Sequence, residues 1–317
     1  MVFGVVPALG EQPRRYEPII KQPDDRRERL MAVPYAKTPV SGIADKPLIP
    51  SQSTAKIAAV QMHVTKDTDE DSVFDMVDHA AKLGIKVLLL PEYAMSSQWL
   101  PNAEEAAQLA DRQASLLARA AEIASRYAWL IAVPTVERAD GRLYSTSFLI
   151  GPDGAEIGRY RKTHLTAEEK RWAVAGDDYP VFETPFGRIG VMSGYDAVFP
   201  ETSRCLSIAA ADIILWPASL REPFERELLA IPRAEDNRVA VVLANRVDCA
   251  YPGGSVVIPP NGFPLWDINQ VAPRVLKLGA VMPKHIDLAV CRQKLMIPKV
   301  DMFANRLVET YAPIVAV

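Results

Sequence analysis

From Lys56 onward the chain is written as short, almost uninterrupted aliphatic runs that alternate with stretches of helical spacing. Ile57-Ala58-Ala59-Val60, Val87-Leu88-Leu89-Leu90, Leu130-Ile131-Ala132-Val133, Ile189-Gly190-Val191-Met192, Ile213-Ile214-Leu215-Trp216 and Val239 to Ala244 are each apolar on both faces. Runs of this length and kind are strands of a sheet covered on both sides. Between them, Asp71 to Leu83 carries Val73, Met76, Val77 and Ala80 at helical spacing. Ala103 to Tyr127 reads as one long alanine-rich helix, and further helices are expected from Pro200 to Ala210 and up to about Asn237. Turn residues at Gly151-Pro152-Asp153-Gly154 and at Pro185-Phe186-Gly187 mark two hairpins, so antiparallel pairs are mixed with parallel ones. The class is α/β with mixed sheets.

This pattern fills residues 55–317, expected as one domain. The preceding residues 1–54 differ: Pro13, Pro18, Pro23, Pro34, Pro39, Pro47 and Pro50 flank the run Asp24-Asp25-Arg26-Arg27-Glu28-Arg29. That composition suits an N-terminal extension or arm, wrapped or mobile. The first ten residues are apolar but lack the basic start of a secretory signal, and no run approaches the ~18 apolar residues of a membrane span.

With 49% hydrophobic and 24% charged residues and a net charge of −3, the chain has material for a core and no global pull toward nucleic acid or anionic lipid. Cys205, Cys249 and Cys291 are odd in number and show no C-x-x-C spacing, and the four histidines lack zinc-type spacing. Free thiols, a reducing cytoplasmic setting, no metal and no cofactor are the corresponding expectations.

Three segments place polar residues where an apolar strand ends, the usual location of sites in α/β proteins. Leu90-Pro91-Glu92-Tyr93 puts a carboxylate directly after buried aliphatics, where burial raises its pKa toward proton transfer. Tyr160-Arg161-Lys162-Thr163-His164-Leu165 offers a lysine able to hold a developing oxyanion. Val191-Met192-Ser193-Gly194-Tyr195-Asp196 leads through Phe199-Pro200-Glu201 into a helix, the strand–turn–helix build of a nucleophile elbow. Taken singly, each also fits a solvated strand end, a basic strand edge or ordinary packing.

Taken in this order, with Tyr144-Ser145-Thr146, Arg233-Ala234-Glu235-Asp236-Asn237, Ala244-Asn245-Arg246 and Gly253-Gly254-Ser255, the segments resemble the nitrilase superfamily of carbon–nitrogen hydrolases from Lys56 to Tyr311. The resemblance implies a four-layer αββα sandwich, a homodimer or larger homo-oligomer, and a small amide, nitrile or N-carbamoyl compound as substrate or ligand. It implies a general base at Glu92, a lysine supporting the tetrahedral intermediate at Lys162, and a second carboxylate at Glu169, with the adjacent Glu168 as the alternative. Ser145 stands where the family often has Asn. Tyr93, Trp99, Trp172 and Tyr195 are candidates to contact substrate or simply to pack.

The family's nucleophilic cysteine aligns with Gly194, pinned there by Tyr195-Asp196 and Phe199-Pro200-Glu201. Glycine has no side chain to form a thioester. Ser193, one residue upstream on an extended strand, is expected to point to the opposite face. Cys205 is expected to pack inside the next helix, and Gly190-Val191-Met192-Ser193-Gly194 does not satisfy G-x-S-x-G. Three readings stay open: a non-catalytic pseudoenzyme serving as a binding or assembly partner, an altered copy of a cysteine-bearing enzyme, or a site in which Glu92 activates water and Lys162 holds the resulting charge.

Overall fold

A computed structural model of the chain describes residues 54–63, 70–96, 101–222, 225–247, 253–260, 262, 279–297 and 299–315. The arm expected over residues 1–54 lies outside these, except that Thr54 already opens the first strand. Trp99 and Cys249 lie outside them too.

Among the described residues the main body runs from Thr54 to Arg306. Its first sheet has six strands: β1 (Thr54–Gln61), β2 (Val87–Leu89), β3 (Leu130–Ala139), β4 (Arg142–Ile150), β5 (Glu156–Arg161) and, beside β1, a late strand Ala280–Asp287. β1, β2 and β3 are parallel, whereas β3, β4 and β5 form antiparallel hairpins. The second sheet holds β6 (Val181–Thr184), β7 (Gly187–Val191), β8 (Ile213–Ala218), β9 (Ala240–Asn245) and β10 (Val256–Ile258). There β7, β8 and β9 are parallel and the edges antiparallel. The Ala280–Asp287 strand is therefore β11.

Period-two alternation sorts the side chains into layers. Ile57, Ala59, Val87, Leu89, Leu130 and Ala132 of the first sheet meet Ile189, Val191, Ile213, Leu215, Val242 and Ala244 of the second in one buried cluster. The alternate residues Ala58, Val60, Leu88, Leu90, Ile131 and Val133 pack instead on helices α1 (Glu70–His79), α2 (Ala103–Asp111) and α3 (Gln113–Tyr127). On the far side, Met192, Ile214, Trp216, Val241 and Leu243 are covered by α4 (Pro200–Ile208) and α5 (Ile231–Glu235). Helix, sheet, sheet, helix: this is the αββα sandwich.

Two local differences have physical causes. The helix expected from Ala103 to Tyr127 is two helices, because Arg112 closes α2 and starts α3. Its guanidinium is held by Glu70 of α1, a tether that periodicity does not reveal. The strand expected at Leu130–Val133 continues to Ala139, since Pro134 through Ala139 pair residue by residue with β4 across a turn at Asp140 and Gly141. By themselves, residues 307–315 form a short turn, Val308–Thr310, and a short helix, Ala312–Val315.

Candidate functional site

Four connections bring the site together, two from the first sheet and one from the second among them. Glu92 follows β2, Lys162 follows β5, Glu169 opens a tight turn at Glu169–Arg171, and Gly194 starts a short turn after β7. Each of the three charged side chains is 2% exposed or less. The Lys162 ammonium donates to Glu92 Oε1 at 2.8 Å and to Glu169 Oε1 at 2.7 Å. The structure thus places the expected carboxylates on one ammonium, with Glu169 rather than Glu168 as the second.

The two carboxylates are held differently. Glu169 is fully engaged: besides Lys162, the Tyr93 hydroxyl lies 2.7 Å from its Oε1 and the Thr166 N–H donates to its Oε2 at 2.8 Å. Burial pushes the Glu169 carboxyl up, but the Lys162 charge and these donors outweigh it and leave it below the ordinary range. At Glu92, Lys162 and Ser193 both donate to Oε1, and no described residue donates to Oε2. Burial dominates at Glu92 and raises its proton affinity, with the nearby Glu169 charge adding to the effect and Lys162 opposing it. Burial also disfavours the Lys162 ammonium, yet the facing carboxylates of Glu92, Glu169 and Asp196 hold it charged well above its ordinary range. The proton affinities of the two buried carboxyls are driven apart, an arrangement in which one can stay ionised while the other exchanges a proton.

Ser193 does not face away as alternation had suggested. Val191 belongs to the layer between the sheets and Met192 to the outer layer, so Ser193 turns back to the inner side, and its hydroxyl donates to Glu92 Oε1 at 3.2 Å. Alternation then breaks at Gly194, whose φ of +47° turns its own open face onto the same cluster. A Cβ at residue 194 meets Glu92 Oε1 at 2.5 Å, Glu92 Oε2 at 2.6 Å and Lys162 Nζ at 2.8 Å. The charged heads already occupy the place of a side chain.

The aromatic candidates separate. Tyr93 is buried in a left-handed backbone conformation (φ 50°), unusual for a bulky residue. Its hydroxyl, 2.7 Å from both Ser145 Oγ and Glu169 Oε1, braces the second carboxylate. The Arg246 guanidinium donates to the Tyr93 carbonyl at 3.3 Å. Trp172 packs edge-on against Tyr93 with ring centroids 6.3 Å apart, and its buried indole N–H has no partner among the described residues. Tyr195 is 41% exposed and rests edge-on against Phe199, away from any hydrogen bond with the cluster among the described residues. Cys205 is half-buried in α4.

Two further residues support the site, Asp196, whose role has no local sequence signal, and Ser145. Asp196, buried beneath the elbow, accepts from the hydroxyls of Tyr160 and Thr163 and from the N–H groups of His164 and Ser193. Ser145 lies under Tyr93, where a hydroxyl does what no residue type alone announces. Among the described residues, no group of three or more His, Cys, Asp or Glu side chains is arranged to hold a metal ion.

Comparison with known proteins agrees with this architecture. Residues 56–293 match the family model of carbon-nitrogen hydrolases. The chain is 30% identical over 266 residues to a nitrilase from Pyrococcus abyssi, covering 81% of this chain and 98% of that one. It is 28% identical over 272 residues to an omega-amidase from Mus musculus, covering 78% and 95%. Among solved structures it is similar to a carbon-nitrogen hydrolase from Helicobacter pylori G27, with a TM-score of 0.73 at 18% identity over 84% of this chain and 99% of that one. It is also similar to an amidase from Nesterenkonia sp. AN1, with a TM-score of 0.68 at 22% identity over 84% and 98%. With its sandwich in place and three quarters of its length matched, the chain belongs to the carbon–nitrogen hydrolase family, the nitrilase- and amidase-like proteins.

Proposed function

We propose that the protein hydrolyses a small amide, nitrile or N-carbamoyl compound at the Glu92–Lys162–Glu169 cluster, with water as the attacking group. The unequal pair of carboxylates around one buried ammonium carries this reading. For an amide, Glu92 takes a proton from water at its open Oε2, and the water oxygen bonds to the carbonyl carbon. The carbonyl electrons move onto oxygen, beside the Lys162 ammonium. Collapse re-forms the carbonyl and breaks the C–N bond, and the proton held by Glu92 passes to the departing nitrogen. Glu169, braced by Tyr93 and Thr166, keeps Lys162 charged and in place.

Water is the attacker because the elbow residue, Gly194, has no thiol to offer. A mutant of the amidase from Nesterenkonia sp. AN1 shows covalent addition of the acetamide moiety of fluoroacetamide at its active-site cysteine, and a cysteine-to-alanine mutant has been solved in complex with butyramide. Those compounds define the scale of substrate to test first. Purified protein is offered a panel of amides, nitriles and N-carbamoyl compounds, with ammonia release as the readout. Turnover that disappears in Glu92→Gln and Lys162→Met, both still folded, supports the reading.

A second reading rests on the way the Glu92 and Lys162 heads close over Gly194: a binding or assembly protein with no turnover. A panel with no activity, together with co-purification of a catalytic homologue, decides for it. The family resemblance also supports a small-molecule ligand and a homodimer or larger assembly, and the odd number of cysteines without C-x-x-C spacing supports a cytoplasmic location. Tyr195, Val198 and Leu228, exposed apolar side chains, suit such an interface, and light scattering of the purified chain gives its mass directly. No described helix is long and apolar enough to cross a membrane.

A further inference from the structure

We propose that Asp196 is the positioning residue of the site, fixing the Lys162 ammonium over the elbow through the backbone on both sides of it. Its carboxylate is fully buried and takes hydrogen bonds from two separate connections. From the Lys162 side come the Tyr160 hydroxyl at 2.7 Å, the Thr163 hydroxyl at 3.1 Å and the His164 N–H at 2.9 Å. From the elbow side comes the Ser193 N–H at 2.8 Å, immediately before Gly194. Lys162 therefore lies inside a three-point staple whose other end is Ser193, the residue just before the Gly194 against which the Lys162 head rests.

The ammonium itself is held by Glu92 and Glu169, and the other backbone attachments constrain Lys162 less. Its N–H donates to Ser145 O and its carbonyl accepts from the Gly176 N–H, both at 2.9 Å, which fixes the strand end but not its distance from the second sheet. The Asp196 carboxylate bonds the β5 connection to the β7 connection beneath the elbow, where Glu92 Oε1, shared by Lys162 and Ser193, links the same two connections through their side chains. It also acts through space, since its charge is the third carboxylate favouring the Lys162 ammonium. His164 closes the arrangement at the surface: its ring nitrogen Nδ1 lies 2.9 Å from Asp196 Oδ1 while its ring stacks on Phe199.

An asparagine in place of Asp196 keeps the shape but supplies one acceptor where two are needed, and it removes the charge. The Lys162 amine then titrates lower and its head shifts from the elbow. Misplacing a charge-stabilising group by about 1 Å costs on the order of a hundredfold in rate, and this loss is expected in kcat with KM little changed.

The inference rests on the hydrolytic reading for its rate effect, so the test reads Lys162 directly as well. Native protein is treated with acetic anhydride, and modification of Lys162 is followed by peptide mass spectrometry. In Asp196→Asn, Lys162 is expected to react about tenfold faster, the equivalent of one unit of pKa. Asp212→Asn provides the control, because Asp212 is an equally buried carboxylate clamped by Arg188 and Arg292 outside the site. It is expected to lower the melting temperature without changing Lys162. Should Asp196→Asn fail to fold, Tyr160→Phe and Thr163→Val each remove a single donor and are expected to speed Lys162 modification by a smaller factor. Unchanged Lys162 reactivity in the folded variants overturns the inference. Absence of turnover in the unaltered protein overturns only the hydrolytic reading, while the modification rates still decide the role of Asp196.

Discussion

Gly194→Ala is the sharpest probe of how the charged heads are seated. Alanine at φ +47° costs about 1 kcal/mol in backbone strain alone. Its Cβ also lands 2.5 and 2.6 Å from the Glu92 oxygens and 2.8 Å from Lys162 Nζ, where ordinary contact begins near 3.4 Å. The heads must retreat by about 0.6–0.9 Å, the differences between those distances. That retreat loosens one or more hydrogen bonds to charged groups, each worth about 1.5–3 kcal/mol when buried. The expected loss is about 3 kcal/mol in all. Gly84→Ala serves as the control, since Gly84 sits at φ +63° with nothing within 4 Å of a Cβ, and should show the strain cost alone. At roughly 2 °C per kcal/mol for a domain this large, the two variants should melt about 4 °C apart. Urea titration supplies the free energies. If Gly194→Ala proves no more costly than Gly84→Ala, the acid–ammonium cluster does not rest on the elbow, and the account of the site fails with it.

Ser193→Ala removes one donor from Glu92 Oε1 and should raise the Glu92 proton affinity further; the acid limb of the pH–rate profile should move to higher pH, and an unmoved profile refutes the bond. Glu137 is buried between Arg159 and Arg161, and although burial opposes its charge, those partners and Thr146 bring its carboxyl down to about 2. Its folded value lies below the unfolded one, so its stabilisation is complete above about pH 4.3 and fades as pH falls toward 2. Glu137→Gln should therefore flatten the loss of stability in that window, as acid titration by circular dichroism will show. Burial pushes the Cys291 thiol up to about 12, and its side chain is fully enclosed. Site-resolved alkylation at pH 8 should leave Cys291 unmodified until the protein unfolds, with half-buried Cys205 reacting earlier.

Much of the fold was legible because both-face burial leaves a plain mark: Ile57 to Val60 and Ile213 to Trp216 are apolar throughout and became central strands. The tail of β3 was hidden because Glu137 and Arg138 break the apolar run, yet cross-strand pairing and the Arg159 and Arg161 guanidiniums make a buried glutamate affordable there. The break at Arg112 was hidden because alanine-rich sequence favours helix on both sides of it. Within the site, Glu92 and Lys162 stood out as charges at the ends of strands. Glu169 was the expected second carboxylate, and the tight turn closing on Thr166 is what brings it, and not the adjacent Glu168, onto Lys162. Asp196 carried no signal of its own, because its meaning lies in donors more than thirty positions away. Ser193 was misread because period-two alternation was carried one residue past the point where a left-handed glycine ends it.

The interleaved aliphatic layer between the sheets has a consequence for anyone altering this protein. Glu92 and Lys162 ride on one slab and Gly194 on the other, so their spacing works like a vernier scale that reads how the slabs slide. Shaving Leu89 or Leu215 to alanine touches no polar atom and removes roughly 2–5 kcal/mol of packing. The slippage it allows should move Glu92 and Lys162 relative to Gly194, alongside a melting temperature lowered by about 4–10 °C.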